Sequence, residues 1–363
     1  MVCETVRIVV SLGIHTTERA PMSQVLVTGG SGFIAGHVIT QLLDQGHTVR
    51  STIRSARKEN AVRSVLRGAG VTRQEALTFV EADLMKDAGW ADAVAGMDYV
   101  IHLASPIHTG NVKDEEKVIA PARGGALRVL RAARDAGVRR AVLTSAFHAV
   151  GFGHGHIDHV FTEDDWSPLN GPGVDAYGRS KILAEKAAWD FVEQPGNTLE
   201  LTTILPVAVM GPVMGKDVSG ANHIVQNSLS GEMPGYPNMF VPIVDVRDVA
   251  AAHVAAMTAP GAAGERFLVG TGEPAIAMKE IGAILRRELG KKAAKVPTRT
   301  IPNVVVRLAA LFRDEFKPVA ADLGYVKRVS DSKTRTVLGI TPRPAREAII
   351  AAGRSMVDRG LAD

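Results

Sequence analysis

The 363-residue chain is long enough to bury a large core and to divide into about two or three cooperating units. Its 42 Lys and Arg stand against 38 Asp and Glu, and a net charge of +4 is too small and too dispersed for a nucleic-acid binder. Cys3 is the single cysteine, which excludes a disulfide framework and a thiolate metal site and makes a reducing cytoplasm the expected home.

Residues 1–22 read as a poorly ordered N-terminal extension. The apolar run Arg7 to Ile14 is too short to span a bilayer, no small-residue cleavage site follows it, and Met22 offers an alternative start just before the first strand. The stretch that organises the chain comes next. Val25 to Val27 is a short apolar strand, Thr28-Gly29-Gly30-Ser31-Gly32 is a turn, and Phe33, Ile34, Val38, Ile39, Leu42 and Leu43 recur with helical spacing. A side chain at Gly29 would obstruct the tight turn, and one at Gly32 would hold backbone N–H groups away from a diphosphate. Ala35 fills the third small position of a dinucleotide-binding fingerprint.

The helix stops at Gln45-Gly46 and Thr48 to Ile53 is the second strand. An NAD site would place an acidic residue after it; this chain has Arg54-Ser55-Ala56-Arg57-Lys58, suited to a 2′-phosphate and hence to NADPH. Leu77 to Ala82 is the third strand, followed by Asp83-Leu84 where an adenine ring would lie. Asp98 to Leu103 is the fourth, ending in Ala104-Ser105-Pro106. A helix over Glu115 to Ala136 and a fifth strand, Arg140 to Ser145, complete five alternations of strand and helix. That pattern predicts an α/β, doubly wound parallel sheet of Rossmann type with ligands at the strand C-termini.

Tyr177 and Lys181 follow, four apart on a helix and therefore on one face. An ammonium beside a phenol stabilises the phenolate and lowers the Tyr pKa toward the working range of a general acid. Other signals have plainer readings. His148, His154, His156, Asp158 and His159 invite a metal, but the hydride chemistry that a dinucleotide fold implies needs none. Three later segments, Glu280 to Lys295, Ile301 to Phe312 and Ala345 to Met356, are predicted as core-facing helices.

With these motifs in place the chain resembles the extended short-chain dehydrogenase/reductase family. Within it, the similarity is to the branch of dihydroflavonol reductases, cinnamoyl-CoA reductases and microbial NADPH-dependent aldehyde and ketone reductases. Val27-Thr28-Gly29-Gly30-Ser31-Gly32-Phe33-Ile34, His102-Leu103-Ala104-Ser105-Pro106, Tyr177-x-x-Ser180-Lys181, Leu205-Pro206-Val207, Gly211-Pro212, Val244-Asp245-Val246-Arg247-Asp248 and Leu338-Gly339 carry it. The resemblance implies that Tyr177 donates the proton to the substrate oxygen and that Lys181 holds the nicotinamide ribose. It implies cofactor contacts at Thr28, Gly29, Ser31, Gly32, Phe33, Ile34, Leu103, Ala104 and Ser105, with Arg54 and Lys58 on the 2′-phosphate and Asp83 and Leu84 beside the adenine. Pro206, Val207 and Val209 would line the carboxamide.

Two positions depart from the family pattern. The family's catalytic serine is the second Ser of a Thr-Ser-Ser run, and here the run is Thr144-Ser145-Ala146. Ser145 is the expected replacement, with Thr144 or His148 as alternatives. Gly151 and Pro242 stand where flavonoid reductases hold a polyphenol, which disfavours that substrate. Phe147, Phe152, Met214, Met233, Tyr236 and Met239 are an apolar set suited to aliphatic or aromatic aldehydes and ketones.

The expected division is an NADP-binding domain over 23–205 with 245–258, and a substrate-binding subdomain over 206–244 and 264–363. The expected activity is NADPH-dependent reduction of an aldehyde or ketone by a monomer or homodimer without membrane or nucleic-acid partners. The alternatives are a sugar-nucleotide epimerase or dehydratase of the same superfamily, which would favour tightly held NAD, and a catalytically weak NADP-binding sensor.

Overall fold

A computed structural model describes residues 22–105 and 114–362; the expected extension and Pro106 lie outside the described residues, except for Met22. Seven strands, β1 (Gln24–Thr28), β2 (Thr48–Ile53), β3 (Leu77–Glu81), β4 (Tyr99–His102), β5 (Arg140–Thr144), β6 (Glu200–Pro206) and β7 (Arg266–Val269), form one sheet. All neighbours pair in parallel, in the order β7-β6-β5-β4-β1-β2-β3. The chain winds outward from β1 to β3 and then crosses back to β4, so the crevice at the C-terminal ends of β1 and β4 is the topological switch point where such sheets take ligands.

The five strands read from the sequence fall within a residue or two of their observed ends. β6 and β7, which the sequence pattern does not mark as strands, extend the sheet beyond β5. Parallel strands are covered on both faces and so are apolar throughout, as Val25, Leu26 and Val27, each wholly buried, show. Alternate residues of β1 supply two different cores. Val25 and Val27 join the layer in which helix Phe33–Asp44 packs against helix Val246–Thr258. Leu26 joins the opposite layer, where helix Glu116–Asp135 lies along helix Ala176–Val192 over Trp90, Val129 and Leu130. Each such fully buried Val or Leu contributes about 1.5–3 kcal/mol relative to exposure.

A third core gathers Met210, Val225, Leu229, Ile281, Ile284, Leu285, Ile349 and Met356 from the segments after β6. Helix Ala345–Asp358 faces it as expected, whereas helix Met278–Leu289 ends early because Gly290, at φ +55°, turns the chain. Helix Asn303–Phe312 corrects the sequence reading. Only Val306 is buried, while Val304, Val305, Leu308, Leu311 and Phe312 are 51–85 % exposed, so its apolar side chains face outward rather than into a core. No helix among the described residues is long and apolar enough to cross a membrane.

Candidate active site

The glycine turn is shaped by close approaches. Gly29 has φ +74°, and a Cβ there would stand 3.1 Å from the Ala104 Cβ. Gly30, which the fingerprint spacing does not single out, is the tightest position of the turn, since a Cβ would lie 2.3 Å from Ser51 Oγ on the neighbouring strand. Ser31 and Gly32 are exposed, Phe33 and Ile34 half-buried, and the first turn of the helix leaves its N–H groups without intrahelical partners.

Thr28 points inward rather than to the crevice. Its Oγ1 accepts the backbone N–H of Leu103 (3.1 Å) and Ala104 (3.0 Å) and lies 2.7 Å from His102 Nδ1, so it clips the end of β1 to the end of β4. Burial pulls the His102 imidazole down to about 3, so it stays neutral and can take the threonine proton. Leu103, Ala104 and Ser105 are half-buried around this clip.

Arg54 and Lys58 are exposed just beyond β2, and neither has an ion-pair partner among the described residues. The adjoining Ala56 N–H is held by the Glu81 carboxylate at the end of β3. Asp83 and Leu84 are half-buried past β3; Asp83 Oδ1 accepts the Met85 N–H at 3.0 Å, and Leu84 fits against Gly125, where a Cβ would be 3.0 Å from its own.

Helix Ala176–Val192 begins on Asp175, whose Oδ1 accepts the Gly178 N–H at 2.8 Å. This N-cap sets the register that places Tyr177 and Lys181 one turn apart, with the ammonium 5.8 Å from the phenol ring centroid. Lys181 Nζ donates to Ser105 Oγ at 3.4 Å, and the hydroxyl of the half-buried Tyr177 makes no hydrogen bond among the described residues. Burial, assisted by Asp175, pushes the phenol up to about 12, and burial pulls the ammonium down to about 8. The expected depression of the phenol therefore does not hold: Lys181 leans toward Ser105, and burial disfavours the phenolate, so Tyr177 stays protonated.

The end of β5 settles where the nearby hydroxyls point. Ser145 donates to Glu185 Oε2 at 2.6 Å and is buried, so its proton faces the core, contrary to its expected place at the substrate. Glu185 also accepts from Thr203 Oγ1 (2.9 Å) and Arg266 Nε (2.8 Å), and Arg266 lies 3.7 Å over the Trp166 ring. His253 Nδ1 is bonded to the Val249 carbonyl (2.8 Å), which leaves Nε2 to accept the Thr144 hydroxyl at 2.7 Å. His148 is carried over the crevice by the short turn Phe147–Ala149. Its ring meets Tyr177 edge-on at 5.0 Å and stacks on Phe152 at 4.1 Å.

Pro206 and Val207 are buried at the end of β6, and Val209 is half-buried behind them. Of the residues expected to line a substrate pocket, Phe147 and Tyr236 belong to the core, the latter donating to Ser228 Oγ at 2.9 Å, while Phe152 reaches the His148 ring. The other histidines of this loop diverge. His154 bonds the Val150 carbonyl, His156 the Ala321 carbonyl and His159 the Asp165 carboxylate.

The parallel sheet with a glycine turn at its switch point defines a Rossmann-type dinucleotide fold. Residues 25–270 match the NAD dependent epimerase/dehydratase family. A ketoreductase, azaE, of Aspergillus niger is 31% identical over 93% of this chain and 98% of its own. Cinnamoyl-CoA reductase 1 of Arabidopsis thaliana is 35% identical over 67% of this chain and 69% of its own. Among solved structures, yeast methylglyoxal/isovaleraldehyde reductase Gre2 complexed with NADPH superposes with a TM-score of 0.76 at 26% identity, covering 93% of this chain and 99% of that one. The chain thus belongs to the NAD-dependent epimerase/dehydratase family, the extended short-chain dehydrogenases/reductases.

Proposed function

We propose that this chain is an NADP-dependent oxidoreductase that reduces the carbonyl group of a small aldehyde or ketone, with Tyr177 as the acid. The observation that carries the reading is the Tyr177 hydroxyl, without a partner among the described residues, one helical turn from Lys181, whose ammonium reaches Ser105 in the loop that follows β4. The glycine turn fits a diphosphate, because Gly29 and Gly30 let it lie close against Ala104 and Ser51, and the exposed Ser31 and Gly32 lead into the N-terminus of the helix that follows. Arg54 and Lys58, both exposed and unpaired among the described residues, fit a 2′-phosphate and so favour NADPH. Relatives named as an NADPH-dependent methylglyoxal reductase and a ketoreductase support the same cofactor and reaction class.

NADPH, when bound, supplies the hydride that the carbonyl carbon receives. Tyr177 holds the carbonyl oxygen and passes it a proton. Lys181, mostly protonated below about pH 8 and 5.8 Å from the ring centroid, supplies the nearby positive charge that favours the phenolate left behind once it turns from Ser105. Segments 206–244 and 264–362 supply the third core and form the substrate-binding side, apart from β7, which completes the sheet of the NADP-binding side. NADPH consumption across a panel of small aldehydes and ketones tests the reading. Tyr177→Phe should lower kcat by about 10² to 10⁴ while leaving NADPH binding intact, and a fully active Tyr177→Phe variant would remove Tyr177 as the acid.

A further inference from the structure

We propose that His148 is a second catalytic residue, donating an N–H hydrogen bond to the same carbonyl oxygen that Tyr177 protonates. The inference rests on the reductase reading above and assigns to this chain the donor that its Ala146 does not provide. As hydride adds to the carbon, negative charge grows on the oxygen, and a donor aimed at it beforehand lowers the barrier. The end of β5 has no other side chain free for this. The Thr144 proton goes to His253 and the Ser145 proton to Glu185.

His148 has what the site lacks. Among the described residues it is the one histidine with no hydrogen bond to either ring nitrogen; each of the other described histidines has one. Its plane is held by the Phe152 stack, only 7° from parallel, and by the edge contact to Tyr177. The turn beneath it is pinned by Ala149 N–H to Ala146 and Gly151 N–H to Phe147, both 2.9 Å. A ring so placed, with a nitrogen unpaired beside an unpaired phenol, is oriented before any substrate arrives.

The groups facing it keep it a donor rather than an acid. Burial is the main influence, lowering the imidazole to about 4. Lys181 and Lys327 push in the same direction, and Asp175 and Asp322 oppose them. Lys327 is ion-paired with Asp322 and lies 4.5 Å from the Phe152 ring, so its charge is largely answered locally. At neutral pH His148 therefore carries one N–H and no charge. Carbon gains the hydride, oxygen gains the Tyr177 proton, and His148 keeps its own.

The test uses the full chain with NADPH and the best carbonyl compound from the panel. His148→Phe preserves the ring stack and removes both nitrogens, His148→Gln keeps an N–H, and Ala146→Ser adds back a hydroxyl in the His148→Phe background. The expected result is a kcat loss of about 10²- to 10³-fold for His148→Phe with NADPH affinity unchanged, a smaller loss for His148→Gln, and at least about tenfold recovery in the double variant. Wild-type kcat in His148→Phe, with Tyr177→Phe inactive, would overturn the role of His148 and leave the reductase reading standing. Equal losses in His148→Phe and His148→Gln, with NADPH affinity lost as well, would reduce His148 to a packing residue. A wild-type chain that consumes NADPH with no carbonyl would remove both.

Discussion

Replacing Glu185 by leucine should destabilise the protein by about 3–5 kcal/mol, because it removes one partner of a buried ion pair and leaves the other charged. Arg266 is only 9% exposed and Glu185 1%, and their 2.8 Å contact is the charge-assisted bond that compensates the guanidinium. The same substitution leaves the hydroxyls of Ser145 and Thr203 without their acceptor, about 1–3 kcal/mol for each one that stays buried and unsatisfied. Against this, the Trp166 ring and the carbonyls of Glu163 and Asp165 still hold the Arg266 side chain, so the three losses do not add. The second arm is the double variant Glu185→Leu with Arg266→Met. Two apolar side chains of similar size need no charge partner, so this variant should be more stable than Glu185→Leu alone, while the Ser145 and Thr203 hydroxyls still lack their acceptor and keep it below wild type. Equilibrium urea unfolding reads both, through midpoints compared at a common slope. A single-variant loss below about 1 kcal/mol, or a double variant as unstable as the single ones combined, would refute the view that this pair stabilises the helix bearing Tyr177 and Lys181.

Reversing the charge of the basic turn, Arg54→Glu with Lys58→Glu, should raise KM for NADPH about 10- to 100-fold and leave that for NADH nearly unchanged, as expected for lost charge-assisted bonds; an equal change for both cofactors would refute a 2′-phosphate site. Lys181 releases its proton near pH 8 in the folded chain but near its ordinary 10.5 when unfolded. The unfolded chain therefore holds the extra proton between those values, and stability should rise with pH across that window and flatten in Lys181→Met; a wild-type curve with no such rise would contradict the burial of the ammonium. Phe312, 85% exposed, should be replaceable by lysine within about 0.5 kcal/mol in urea unfolding, and a loss above about 2 kcal/mol would show that its helix faces a core after all.

Much of the nucleotide-binding half is legible in residue order because its signals are local. A strand that must be covered on both faces is apolar without interruption, as in Val25 to Val27, and a helix beside it repeats its apolar residues every three or four. The substrate side is less so. The helix Asn303–Phe312 shows a pattern fit for a core yet finds none, since periodicity reports that a face is apolar and not what covers it. β6 and β7 escaped for a related reason: β7 has four residues, too few to show a period, and its place in the sheet comes from pairing with a strand some sixty residues earlier.

The site divides in the same way. Spacing alone put Tyr177 and Lys181 on one helical face, because a turn of helix is a property of four consecutive residues. It could not say which way three neighbouring hydroxyl-bearing or small residues at the end of β5 would turn. Glu185 lies forty residues from Ser145, and His253 more than a hundred from Thr144. Only the folded chain brings these acceptors near, and by taking the protons of Ser145 and Thr144 they leave the crevice to Tyr177 and His148. Order along the chain determined the sheet, the glycine turn and the phenol with its amine; the direction of each buried hydrogen bond was decided by partners that meet only after folding, since hydrogen bonds form over about 3 Å whatever the distance in sequence.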